Sequence, residues 1–120
     1  MMVFLFLFIF SCIQGCTALI GAGVLVYKEG NLRTDYAASY NQTWNAAVHT
    51  MRDMNLKVID TKRDATKGII EAEEADGTRV NITVKPLGPD ITSVEIRVGR
   101  LGDEKTSREI ERKIRARLRE

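Results

Sequence analysis

Two cysteines, one histidine, a group of carboxylates and a run of arginines are the residues of this 120-residue chain whose type or spacing could do chemistry. Cys12 and Cys16 lie just behind the near-continuous apolar run Met1-Met2-Val3-Phe4-Leu5-Phe6-Leu7-Phe8-Ile9-Phe10. The tetrad Ile13-Gln14-Gly15-Cys16 resembles the bacterial lipobox, with an aliphatic residue three before the cysteine and a small one directly before it. In that chemistry the thiol takes up a diacylglycerol group and the chain is then cut in front of it. A small residue lets the peptidase bring the scissile backbone close to its catalytic groups, and Gly15 meets that need. Cys16 is therefore the expected lipidation site. Ile9-Phe10-Ser11-Cys12 forms a competing site, with Cys12 as the alternative, but its bulky Phe10 fits less well.

The remaining candidates offer less. His49 has no His or Cys partner at metal-ligand spacing, and its neighbours Arg52 and Asp53 mark an ordinary helix surface. Glu71, Glu73, Glu74 and Asp76 form the densest acidic group, where Glu71 and Glu73 share one strand face that is best read as solvated. Gly21-Ala22-Gly23 lacks the third glycine, the Lys-Ser/Thr pair and the preceding strand of a phosphate loop. No nucleophile with its base, no carboxylate pair and no metal cluster can be assembled from these spacings, so no catalytic residue, metal or cofactor is expected. A non-enzymatic module is the leading expectation. The alternative is a small envelope hydrolase subunit, which would need a deep pocket where His49 and an acid converge.

The charge pattern divides the chain. No Asp, Glu, Lys or Arg precedes Lys28, so all 18 basic and 16 acidic residues fall in residues 28–120, although the net charge is only +2. Residues 1–15 read as a signal peptide, despite an n-region without Lys or Arg. An uncleaved signal anchor is the other reading, because the apolar stretch to Tyr27 exceeds the ~20 residues that span a bilayer. Cleavage before Cys16 would leave one cysteine, its sulfur held in a thioether, which suits an oxidising periplasm. Thr17 stands where Asp would retain a lipoprotein in the inner membrane, so an outer-membrane location facing the periplasm is expected. Residues 16–31 then comprise the lipidated cysteine and an apolar, Gly-rich tether, and residues 32–120 a small domain.

That domain shows both periodicities. Leu32, Thr34 and Tyr36 alternate with Arg33 and Asp35, as in a short strand. Ser39-Tyr40-Asn41-Gln42 has the form of a capping box, and Tyr40, Trp44, Ala47, Val48 and Met51 fall on one face of a helix running to about Met54. His49 lies away from that face, and Trp44 is placed in the core. From Leu56 the period becomes two, with strands at residues 56–62 and 67–74, a turn at Asp76-Gly77, and further strands around Val80-Val84 and Val94-Val98. Pro86-Leu87-Gly88-Pro89-Asp90 is the expected loop between the last two. Asp103 caps a final helix with an Ile110-Ile114-Leu118 seam. The expected fold is α+β, a single antiparallel sheet of four to five strands with both helices on one face, in the order β-α-β-β-β-β-α. Because each strong cap, alternation and turn follows Tyr27, a chain starting at Lys28 is expected to fold.

The positive excess sits at the C-terminus. Residues 28–102 hold 11 basic and 11 acidic side chains, whereas residues 103–120 hold 7 and 5. Arg112, Arg115 and Arg119 are expected to project away from the apolar seam, with Glu109 and Glu111 as neighbouring surface acids. The helix dipole alone accounts for cations there, and an anionic-surface contact with lipid head groups or an envelope protein is the functional alternative. Interleaved aromatics are missing, so nucleic acid is not an expected partner.

The order of these features resembles a family of uncharacterised bacterial lipoproteins of about this length, with a domain of unknown function. The likeness runs from Cys16 through Tyr36, Ser39 and Trp44, Ala75-Asp76-Gly77-Thr78 with Val80, and Pro86-Leu87-Gly88, to Ile96-Arg97-Val98-Gly99, Gly102-Asp103-Glu104, Ser107, Ile110 and Ile114. It implies a lipid-anchored envelope protein and brings no catalytic residue with it.

Overall fold

The strand segments between residues 24 and 98 pair into a sheet with two unlike faces. The computed structural model describes residues 24–119. Its elements are β1 (Val24–Lys28), β2 (Asn31–Tyr36), α1 (Tyr40–Asp53), β3 (Lys57–Arg63), β4 (Gly68–Glu73), β5 (Arg79–Gly88), β6 (Ile91–Val98) and α2 (Glu104–Leu118). The six strands form one antiparallel sheet in the order β1-β2-β6-β5-β4-β3. α1 carries the chain from β2 to the far edge, and β3 to β6 return as a meander until β6 closes against β2. The class and helix number agree with the sequence reading. The strand count does not, since there are six rather than four to five, and the extra strand is β1.

Two adjacent rows of register partners show how the faces differ. Tyr27, Leu32, Ile96, Ile82, Ile70 and Thr61 cross all six strands on one side, and the central four are buried. Val26, Arg33, Glu95, Thr83, Ile69 and Lys62 cross on the other. The helices cover the first side, α1 chiefly on β5 and α2 on β2 and β6, and they touch each other. The second side carries no helix. β3, at the outer edge, is exposed throughout and is bulged between Val58 and Asp60, features that discourage pairing with another strand.

α1 is fixed at both ends. The Ser39 hydroxyl accepts from the Gln42 amide while the Ser39 amide donates to the Gln42 side chain, which is the expected capping box. At the other end Asn55, at φ 57°, turns the chain, and the Leu56 and Asn55 amides donate back to Met51 and Arg52, a Schellman closure. The buried face differs from the expected stripe. It consists of Thr43, Ala46, Ala47, Thr50 and Met51, while Tyr40, Trp44 and Val48 are only partly buried. Thr43 and Thr50 donate to the carbonyls four residues back at 2.8 Å each, so both pack as small, satisfied residues against the rest of the core. Trp44 instead lies over Gly68, where an added Cβ would come within 2.4 Å of the indole, and Arg63 stacks on Tyr40 and Trp44 at 4.6 and 5.3 Å.

The β5–β6 connection is shorter than expected. Pro86 is part of β5 and faces Thr92, a bulge follows at Leu87, and only Pro89 and Asp90 form the turn. Proline is tolerated because β4 ends at Gly68 opposite Val84, so the outer edge of β5 beyond that point has no neighbour needing its N–H.

Candidate functional site

Both cysteines fall before the described residues, so Cys16 and Cys12 lie outside them. The described domain begins at Val24, on an edge strand whose turn to β2 is made by Glu29 and Gly30 with φ of 54° and 84°. This turn is anchored from across the fold. Arg97 donates to the Glu29 carbonyl at 2.9 Å and to Asn31 at 3.3 Å, and it also binds the Arg100 carbonyl. Gly102 lies so close that an added Cβ would fall 2.3 Å from the Gly30 Cα. The Tyr27 hydroxyl donates to the Gly102 carbonyl at 3.1 Å. β1 is thereby held to the loop before α2.

On the helix-free side, β1, β2 and β6 form an open groove of about 480 Å³ lined by Val26, Lys28, Glu29, Asn31, Arg33, Asp35 and Glu95. Arg33 and Asp35 pair at 3.4 Å, and Glu95 is the register partner of Arg33. The described lining thus combines opposite charges with one apolar side chain, a chemistry suited to polar binding. Glu71 and Glu73 also lie on this side, Glu73 being 4.0 Å from Arg79. Among the described residues, no three His, Cys, Asp or Glu side chains come together as a metal site. Partial burial and the nearby charges of Asp76 and Asp103 raise the Glu74 pKa. Bonds from the Thr106 hydroxyl and amide hold the α2 cap Asp103 below the ordinary aspartate value.

His49 is exposed, as expected, and borders a smaller groove of about 280 Å³ between the helices with Gln42, Asn45, Ala46, Arg117 and Leu118. That described lining contains no carboxylate. Arg117 is drawn across to Asp53 at 2.6 Å.

α2 separates the three selected arginines. Arg112 and Arg119 are exposed, whereas Arg115 lies 3.4 Å from Glu111. Glu111 itself is 1% exposed, which corrects the expectation of a surface acid. Its carboxylate accepts from the Tyr36 hydroxyl at 2.8 Å. Burial, then the Glu111 charge and this bond, push the phenol pKa far above its ordinary value, with Arg115 opposing in part. The sequence did carry a signal for this buried acid. Ser107, Ile110, Glu111, Ile114 and Leu118 follow helical spacing, so Glu111 sits within the apolar seam rather than beside it.

A one-layer antiparallel sheet with two helices on one side and an open, charged opposite side defines an α+β domain built around a single two-layer core. The chain belongs to the family of proteins of unknown function DUF3568, whose model matches residues 1–117 and so takes in the apolar N-terminus as well as the domain. No curated protein matches the chain. Among the described residues, no helix is long and apolar enough to cross a membrane.

Proposed function

We propose that this chain is a bacterial envelope lipoprotein, acylated at Cys16, whose α+β domain acts as a non-enzymatic binding or assembly module at the periplasmic face of the outer membrane. The carrying observation is the tetrad Ile13-Gln14-Gly15-Cys16 behind an uncharged apolar run and only seven residues ahead of β1. The family match, which joins both parts in one unit, supports this reading. From Cys16 to Val24 the backbone spans at most ~26–29 Å when extended, so the lipid would keep the domain within reach of the bilayer. The open sheet side supplies the binding surface, with Lys28 and Arg33 facing acidic groups of an envelope component and Asp35 and Glu95 facing basic ones.

The test is Cys16→Ala in cells fed a palmitate analogue. Loss of label is expected, together with a chain that keeps residues 1–15, because cleavage follows acylation. Undiminished labelling would move the site to Cys12, and an N-terminus at Met1 in the native chain would establish an uncleaved anchor instead.

A further inference from the structure

The sheet has two ends, and the chain enters the domain at only one. Val24 faces Asp35, Asp35 faces Ser93, and Ser93 faces Lys85, which sets the row of entry across four strands. Beyond that row β2 adds only Tyr36, and β4 has already stopped at Gly68 opposite Val84. The β5–β6 hairpin continues past all of them to the turn at Pro89 and Asp90. Its tip carries Leu87 at 52% and Ile91 at 49% exposure. Exposure alone does not single out this tip, since Leu101 is 90% exposed. Leu101 lies at the opposite end, beside the Glu29-Gly30 turn.

We infer that the hairpin tip, through Leu87 and Ile91, is a second contact with the phospholipid bilayer to which Cys16 is anchored. This inference rests on the lipoprotein reading and adds an orientation to it. Two half-exposed apolar side chains bind a bilayer weakly on their own. Once a lipid confines the domain within ~26–29 Å of the surface, the second contact becomes intramolecular and a weak one suffices. Entry and tip share one end of the sheet, so both reach the bilayer without the chain wrapping around the domain. Lys85 and Asp90 flank the apolar pair and limit its insertion to the head-group boundary. With the strands standing on the membrane, the open groove side is left uncovered, and Leu101 points away from the surface.

The test uses the full, lipidated chain in vesicles of phosphatidylethanolamine and phosphatidylglycerol containing a nitroxide at head-group depth. Leu87→Cys, Ile91→Cys and Leu101→Cys each carry a fluorophore on the only free thiol left in a chain processed at Cys16. Quenching is expected at positions 87 and 91 and not at 101. Adding Leu87→Asp to Ile91→Cys should abolish the quenching while the melt and vesicle flotation stay unchanged. Equal quenching at all three sites, or none at 87 and 91 in chains that still float with the vesicles, overturns the inference and leaves the lipid anchor standing. A native chain that carries no diacylglyceryl group on Cys16 by mass spectrometry overturns the anchor and the inference together.

Discussion

A carboxylate buried in the seam of α2 needs donors, and Glu111 has two of unequal kind. The neutral Tyr36 hydroxyl is close, at 2.8 Å, and the Arg115 guanidinium is more distant and partly solvated, at 3.4 Å. Solvent screens the ion pair, so the hydroxyl should contribute more than the charge. Tyr36→Phe removes the shorter bond and leaves one carboxylate oxygen in an apolar surrounding. A loss of about 1.5–3 kcal/mol is expected, because that is the range for hydrogen bonds to charged groups. Glu111→Gln keeps an acceptor for the phenol and should cost less. In the double variant the losses should fall short of their sum by ~0.5 kcal/mol or more, measured by urea unfolding. Additive losses would show that the two side chains are merely neighbours.

β1 shows how an element alters the expected boundary of the domain. Leu25 and Tyr27 pack against the core, and Tyr27 bonds the loop before α2. A chain starting at Lys28 loses these contacts and exposes the edge of β2. Compared with one starting at Val24, it should be less stable by on the order of 3 kcal/mol, from two partly buried side chains and a hydrogen bond. Equal urea midpoints would make β1 dispensable and restore the later start. The strand was hidden because Val24-Leu25-Val26-Tyr27 continues an apolar stretch without alternation, and its turn uses Glu29-Gly30 in place of the usual Asn-Gly or Asp-Gly. Elements with local signals were legible: the Ser39 capping box, the Asp103 cap, and the alternation of β5 and β6. The buried side of α1 was not, because Thr43 and Thr50 read as polar until their hydroxyls are seen bonded within the helix. At the candidate site, the sequence located His49 on the surface, but it left Arg115 indistinguishable from Arg112. The partner that separates them, Glu111, is defined by the docking of α2 on β2.

At the scale of the whole molecule, the hairpin tip and the basic turns of α2 offer rival ways of meeting a membrane. They differ in physics. An apolar tip keeps its attraction in salt, whereas arginines drawn to anionic lipid lose theirs as the screening length falls to about 8 Å at physiological ionic strength. Arg115 is a poor probe of the second route, because changing it also strips Glu111 of its counter-ion. Arg112 and Arg119 are exposed and suitable. In a domain beginning at Val24, replacing both by Gln should shift stability by no more than about 1 kcal/mol, the scale of helix-dipole effects. Sedimentation with phosphatidylglycerol vesicles should show weak binding at low salt that the double variant reduces. At physiological ionic strength neither protein should sediment, since this domain lacks the proposed Cys16 lipid that would make the tip contact effective. Binding that persists there and disappears in the double variant would make α2 the membrane-facing surface and turn the domain over with respect to the hairpin.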